Sequence, residues 1–259
     1  MGAQASLAYC KHDLARERAM SHFIRNFAAF LLLATCAATP VIAADEPIRL
    51  YFSADVTIES DGSLSRLEWN RGDEIPAVLR TRLDARVRSW KFVPGTIEGT
   101  PAVTETTLQL RLLATPQGDD VALQVENATT GATLVDMVPP DYPREALRRG
   151  AEAAVLANLS VSPGGAREVS IAGYDGDQRM RPKFEKAVDG MFRGVTVEFE
   201  RVGGLPAPAE FAVPVEFCLG TNPCGPYDWP ERETASAPGQ PMPRDSVAGI
   251  ATDVKGAAI

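Results

Sequence analysis

This 259-residue chain contains only two histidines, His12 and His22, and no histidine follows the second. Imidazole is the usual base in Ser-His and Cys-His catalysis and the commonest zinc ligand. No other nucleophile has a plausible base beside it, and the acidic loop at 174–177 offers too few ligands for a cation. We therefore predict no catalytic residue, no metal site and no cofactor, and a protein that is not an enzyme.

Positive charge is also scarce. The chain has 26 basic and 34 acidic residues, for a formal net charge of −8. Its first 44 residues hold four of the basic and two of the acidic residues, so the remainder carries a net charge of −10. Binding to nucleic acid depends on clustered Lys and Arg that neutralise phosphates. We therefore expect no nucleic-acid partner.

Dense hydrophobic sequence is confined to the N-terminal region. Residues 26–44 carry no charge, and an apolar run at 27–34 is followed by small residues at Ala43 and Ala44. This is the pattern of a secretory signal peptide. We predict that residues 1–44 are an N-terminal extension plus a signal peptide, cleaved near Ala43 or Ala44, and that the protein is periplasmic. The alternative is an uncleaved inner-membrane anchor, because roughly 20 apolar residues span a bilayer; only then do we expect membrane association.

Cysteine is rare, and two of the four cysteines, Cys10 and Cys36, lie in the predicted leader. The other two, Cys218 and Cys224, flank a short loop that contains Gly and Pro. In an oxidising compartment such a pair indicates a disulfide. A Cys-Cys metal site is the alternative, but its other two ligands are missing.

Two stretches of the chain share one order of predicted elements. Each has two strands with alternating apolar residues, then a helix with one apolar face, then a third alternating strand. The apolar positions of the first stretch are Phe52, Val56, Ile58, Leu64, Leu67, Trp69, Leu79, Leu83, Val87, Trp90, Leu108, Leu110 and Leu112. Those of the second are Val155, Ala157, Leu159, Val161, Val169, Ile171, Phe184, Ala187, Val188, Met191, Phe211, Val213, Val215 and Phe217.

The two stretches can be superposed by a constant offset. Adding 103 carries Phe52 onto Val155, and adding 105 carries Leu110 onto Val215. The sequence thus predicts an α+β protein of two tandem β-β-α-β repeats, each a small antiparallel three-stranded sheet packed on a helix. We place the repeats at 45–113 and 138–224, a connector with a possible hairpin at 114–137, and a disordered tail rich in Pro, Ala and Gly at 225–259.

Several short motifs resemble those of a known family. Tyr142-Pro143, Ala146 and Gly150 precede a strand, residues 90–94 read Trp-Lys-Phe-Val-Pro, and Gly-x-Pro occurs at 99–101 and 204–206. In these features the chain resembles the C-terminal domain of TonB, the periplasmic energy transducer of Gram-negative bacteria. The first repeat lacks Tyr-Pro, and the second has valines where the first has Trp90 and Phe92.

The resemblance implies a binding mechanism. Domains of this family accept an extended segment, the TonB box of an outer-membrane transporter, by strand addition, so that main-chain hydrogen bonds supply much of the affinity. The candidate edge is 209–217, where Pro214 favours an edge position because proline cannot donate to a ladder. The predicted partner-binding residues are Phe211, Val213, Val215, Phe217, Tyr142 and Pro143. For Tyr142 and Pro143 a strand-to-helix corner is the alternative.

The same resemblance implies the partners. They are a protein of the envelope, such as a TonB-dependent outer-membrane receptor, or the inner-membrane complex that energises TonB. The alternative function is a self-associating structural protein of the envelope with no role in transport. Its strand edges would pair with the other repeat or with a second copy, and it would form a homo-oligomer.

Overall fold

The computed structural model describes residues 47–117, 120–220 and 241–259. The predicted signal peptide, Cys224 and the start of the predicted tail lie outside these residues. In the part that is described, antiparallel strands predominate and only short helices accompany them, which confirms the predicted α+β class.

The first half of the described chain runs from residue 47 to residue 137. Its elements are β1 (Ile48–Ile58), β2 (Leu64–Trp69), α1 (Ala77–Arg88), β3 (Phe92–Val93), β4 (Thr96–Ile97), β5 (Thr100–Pro101), β6 (Thr104–Gln117), β7 (Asp120–Gly131) and β8 (Thr133–Val135). In the first sheet, β1 lies between β2 and β6, and β7 pairs with the other edge of β6.

The second half of the described chain begins with a short helix. Its elements are α2 (Arg144–Arg149), β9 (Ala153–Val161), β10 (Arg167–Gly176), α3 (Arg181–Met191), a 3-10 helix (Phe192–Gly194), β11 (Thr196–Glu198), β12 (Arg201–Val202), β13 (Leu205–Pro206) and β14 (Ala209–Phe217). The C-terminal segment adds β15 (Met242–Pro243) and β16 (Gly249–Ile250). The second sheet has the order β10-β9-β14-β15.

Helix α1 closes the core of the first sheet. It begins directly after Pro76, whose missing N–H costs nothing at a helix start. Its apolar stripe buries Leu83 and Val87. The indole Nε1 of Trp69 on β2 donates a hydrogen bond to Asp84 Oδ1 at 2.5 Å. This bond ties the helix to the returning strand of the hairpin.

Helix α3 closes the core of the second sheet with larger side chains. It buries Phe184, Val188 and Met191, which are spaced by four and three residues and therefore share one helix face. The ring of Phe184 lies 4.7 Å from that of Phe217 and 5.9 Å from that of Tyr142, between centroids. Such aromatic pairs add to the free energy gained from buried area.

The two halves are joined by short strands. The hairpin β12–β13 belongs to the first sheet, because Val202 pairs with Thr104 at the start of β6. Strand β8 pairs in turn with β11 of the second half. The halves therefore share main-chain hydrogen bonds as well as side-chain packing.

The region between the halves differs from the predicted connector. Instead of a small separate hairpin, residues 120–131 form the long strand β7, which pairs with β6 from Thr107 to Gln117. Its alternating apolar residues add to the first core, where Val125 is buried. The strands β6 and β7 therefore form a hairpin much longer than the small one expected, because the partner of β7 is set by the whole first sheet and not by the local pattern.

The C-terminal segment is ordered where the structure describes it. Strand β15 pairs with β14, and β16 pairs with β3. Met242, Ala248 and Val254 are buried. The expectation of disorder over 225–259 is therefore wrong for residues 241–259. Few apolar side chains suffice here because they pack against the two sheets and need no core of their own.

Within residues 47–117, 120–220 and 241–259, no helix has the length and apolar character needed to cross a membrane.

Candidate strand-edge interaction site

The side chains of β14 point alternately to its two faces. Phe211, Val213, Val215 and Phe217, all predicted to bind a partner, are buried in the core beneath α3. Their side chains are therefore not available at a surface. What β14 offers to a partner is its main chain, which is also what strand addition uses.

Pairing defines which main-chain groups lie along the outer edge of β14, the edge away from β9. Strand β14 pairs with β9 over its whole length, from Ala209 to Phe217. On the other side, the N–H of Arg244 donates to the carbonyl oxygen of Glu210 at 2.8 Å. Hydrogen-bonding residues alternate along an antiparallel strand. The outward groups are therefore those of Glu210, Ala212, Pro214 and Glu216.

Pro214 suits this alternation. It stands opposite Leu156 of β9 at a position where the main-chain groups of β14 point outward. Its missing N–H therefore removes no bond between β14 and β9, in agreement with the confinement of proline to edges. A guest strand that extended past Ala212 would find an acceptor but no donor at Pro214.

The outer edge already carries an extended segment. Met242 pairs with Ala212, and Pro243 pairs with Phe211. Met242 is 6% exposed and packs with Leu156 and Ala212 in a small apolar cluster separate from the two main cores. Sequence reasoning missed this strand, although the Pro-Met-Pro sequence at 241–243 is compatible with extended backbone.

Tyr142 and Pro143 lie at the entrance to α2. The hydroxyl of Tyr142 donates to the carbonyl oxygen of Ala151 at 2.6 Å, and its ring packs edge-on against Phe217 at 5.7 Å. Pro143 is the residue that precedes the first turn of the helix. Both residues therefore form the corner between chain and helix, and the phenol ring faces the core.

A buried carboxylate lies between the two halves and the C-terminal segment. Glu200 is 4% exposed, and its Oε1 accepts hydrogen bonds from Thr106 Oγ1 at 2.7 Å and Ser246 Oγ at 2.8 Å. Its Oε2 accepts from the N–H of Val247 at 2.9 Å. These donors compensate for the burial of the charge. This junction has no local signal in the sequence, because its donors are 94 and more than 40 residues away from Glu200.

The shifted ionisable groups lie on the β1–β2 hairpin. The pKa of Asp61 is lowered by the hydrogen bond from the Ser63 side chain and then by that from the Ser63 N–H. The pKa of Arg66 is raised by its hydrogen bond and its charge interaction with Glu68. Both groups are exposed and belong to the first sheet, so neither bears on the outer edge of β14.

Two further predictions concern ligands and cysteines. Among the residues that the structure describes, no group of three or more His, Cys, Asp or Glu side chains could hold a metal ion. Cys218 is buried directly after β14. Because Cys224 lies outside the described residues, the Cys218–Cys224 disulfide stays a prediction.

Comparisons with protein-family models, with curated proteins and with solved structures found no match for this chain. Residues and geometry are therefore the basis for assigning a function.

Proposed function

We propose that the chain is an exported, periplasmic protein-binding module of the TonB C-terminal type. It pairs an extended segment of an outer-membrane transporter, or of another envelope protein, with the outer edge of β14. The observation that carries this proposal is that the edge already pairs with an extended segment, β15, through Phe211 and Ala212. An edge that accepts one strand has the geometry to accept another.

Strand register supports the tandem β-β-α-β repeats on which the proposal depends. In the first sheet, Phe52 of the first strand pairs with Leu110 of the third. In the second sheet, Val155 pairs with Val215. These four residues are the ones that the offsets of 103 and 105 make equivalent. A shared register over two separate sheets favours duplication of one unit.

The hairpin before each third strand supports the same interpretation. Glu98 and Gly99 turn β4 into β5 with φ of 51° and 80°. Gly203 and Gly204, 105 residues later, turn β12 into β13 with φ of 57° and 81°. Consecutive positive φ values at both central residues are those of a type I′ turn. Both copies thus use one uncommon turn at one place in the motif.

The two third strands are not equally open to a partner. The outer edge of β6 is covered by β7 through eleven residue pairs, from Thr107 to Gln117. The described pairing on β14 comprises two pairs. Since each main-chain hydrogen bond contributes about 0.5–1.5 kcal/mol net, a guest strand can displace β15 at far lower cost than β7. Binding is therefore assigned to the second repeat.

Photo-crosslinking in the exported protein tests this assignment. A photoreactive residue at Glu210, which is exposed at the outer edge, is compared with one at Glu168. Both residues pair with Ser160, so they lie in one row on one face at opposite edges of the second sheet. The proposal predicts an adduct with one envelope protein from Glu210 and none from Glu168. The mature N-terminus is read in the same spectra, and a start upstream of Ala43 indicates the anchor.

A self-associating envelope protein is the second candidate. It is favoured by the observation that segments of this chain cover both third strands. It predicts adducts from Glu210 only to a second copy of the chain, and a homo-oligomer whose mass is unchanged by added transporter. Equal adduct yields from Glu210 and Glu168 would argue against both candidates.

A further inference from the structure

We propose that residues 241–244 occupy the partner's place on β14, so that their contacts specify the partner: an extended segment, antiparallel to β14, with an apolar residue directly before a proline. This inference rests on the proposed function. It adds the chemistry of the guest segment and a reason for weak binding in the resting protein.

The position of Met242 selects an apolar side chain. Met242 is buried against Leu156 and Ala212 on the face of the second sheet opposite α3. Its unbranched, flexible thioether side chain can fill an irregular space, and it can also leave that space without strain. A guest residue opposite Ala212 must be apolar and of similar length to fill the same space. A carboxylate there would be buried with no cation among the packed residues, Leu156 and Ala212.

The position of Pro243 accommodates a flat side chain with no N–H. A Cβ built on Gly131 would lie 2.5 Å from both Cβ and Cγ of Pro243, so only glycine lets the ring sit there. Pro243 pairs with Phe211 at a position where β14 directs its main-chain groups toward β9. The proline therefore forfeits no hydrogen bond to β14. Its fixed φ also lowers the entropy cost of ordering the segment.

The next residue provides the main-chain bond. The Arg244 N–H donates to Glu210, while its side chain is exposed. Any residue other than proline can make this bond. The guest pattern is therefore apolar, proline, then any residue with an N–H.

The rest of the segment keeps β15 close to its site. Ser246 and Val247 are held by Glu200, and the carbonyl of Ala248 accepts a hydrogen bond from Thr130 Oγ1 at 2.7 Å. A displaced β15 thus stays tethered within a few residues of β14. Short tethers give effective concentrations in the millimolar range. A guest must outcompete that concentration, which lowers the apparent affinity of the intact protein.

Peptide binding to the full exported chain tests the inference. The probe is a fluorescent peptide with the sequence of residues 239–246, and its affinity is measured by anisotropy. Met242→Asp removes the resident anchor, and Ala251→Asp places the same charge on an exposed residue of the same segment. We expect Met242→Asp to bind the probe about tenfold or more tightly than the intact chain. Ala251→Asp should bind like the intact chain, and a probe with Asp in place of Met should not bind.

A second variant keeps the test valid if Met242→Asp fails to fold. Arg244→Pro removes the N–H that bonds to Glu210 without touching a buried side chain, and it should tighten probe binding in the same direction. Hydrogen exchange at β9 amides checks that the second sheet is intact. Equal probe affinity in the intact chain and in the folded release variants would overturn the inference, as would equal binding of the Asp-containing probe.

The two proposals can fail separately. If the release variants bind the probe but Glu210 gives no adduct to another protein, the resident segment is a self-ligand and the proposed function is wrong. If Glu210 gives the same adduct in equal yield in the intact chain and in Met242→Asp, the proposed function stands and the competition inferred here is wrong.

Discussion

Strands β6 and β14 are the third strands of their sheets, and they differ most in what lies along their outer edges. Both bury alternate residues in a core: Leu108, Leu110 and Leu112 on β6, and Phe211 to Phe217 on β14. Yet β6 is covered by a twelve-residue strand, while among the described residues β14 pairs on that side with the two residues of β15. An exposed edge invites pairing with other chains. The outer edge of β6 is thus covered along most of its length, whereas the described pairing on the outer edge of β14 is short.

The largest expected change in the free energy of unfolding comes from substituting the buried core residues that β6 and β14 both have. Phe217→Ala and Leu112→Ala change equivalent residues, both fully buried. We expect losses of about 3–5 and about 2–5 kcal/mol in the free energy of unfolding, since each leaves a cavity in a packed core. Urea denaturation measures both. Val78→Ala, at a residue 76% exposed, is the control and should change stability little. A cost below about 1 kcal/mol for either core variant would show that its strand is not part of a packed core.

The next prediction tests whether the outer edges of β14 and β6 are held independently of each other. Glu200→Ala leaves the Thr106 hydroxyl and the Val247 N–H without their acceptor, at a cost of about 1–3 kcal/mol. Glu200→Gln keeps one acceptor oxygen and should cost less. Hydrogen exchange should show faster exchange at Arg244 in the Ala variant and no change at the β7 amides that donate to β6. If β7 amides exchange faster to the same extent, the two edges are not held independently.

The smallest expected effect tests whether Tyr142 belongs to the strand-to-helix corner or to a partner-binding surface. Tyr142→Phe removes only the hydroxyl that donates to Ala151, so we expect a loss of about 0.5–1.5 kcal/mol in thermal unfolding. The crosslinking yield from Glu210 should not change, because the ring and its packing on Phe217 remain. Loss of the adduct with unchanged stability would instead indicate that Tyr142 is part of the partner-binding surface.

Much of the fold is readable from local pattern. The helix face of Phe184, Val188 and Met191 is predicted by its spacing and is buried, and the strand β14 forms where the alternation predicts it. These signals work because helix and strand periods are properties of the chain itself. Gly62 and Gly165 likewise mark the hairpin turns, with φ of 80° and 85°.

The parts that sequence could not supply depend on distant partners. The sequence predicts a possible hairpin at 114–137, but nothing local indicates that β7 pairs with β6 as far as Thr107. The composition of the C-terminal segment suggested disorder, because Met242 and Val254 look too few to bury anything. They are buried because they pack against the two sheets. The resemblance places the candidate site on β14, which remains a prediction; the segment that pairs with its outer edge, β15, has no local signal in the sequence.

The central claim is that the outer edge of β14 receives an extended segment of another envelope protein. Its most direct test is to map adducts from a photoreactive residue at Glu210 in exported Met242→Asp, with Glu168 as the matched position. The account predicts adducts from Glu210 confined to one short, proline-containing segment of one partner, in higher yield than in the intact chain. Adducts only to this chain itself, or an equal yield from Glu168, would contradict it.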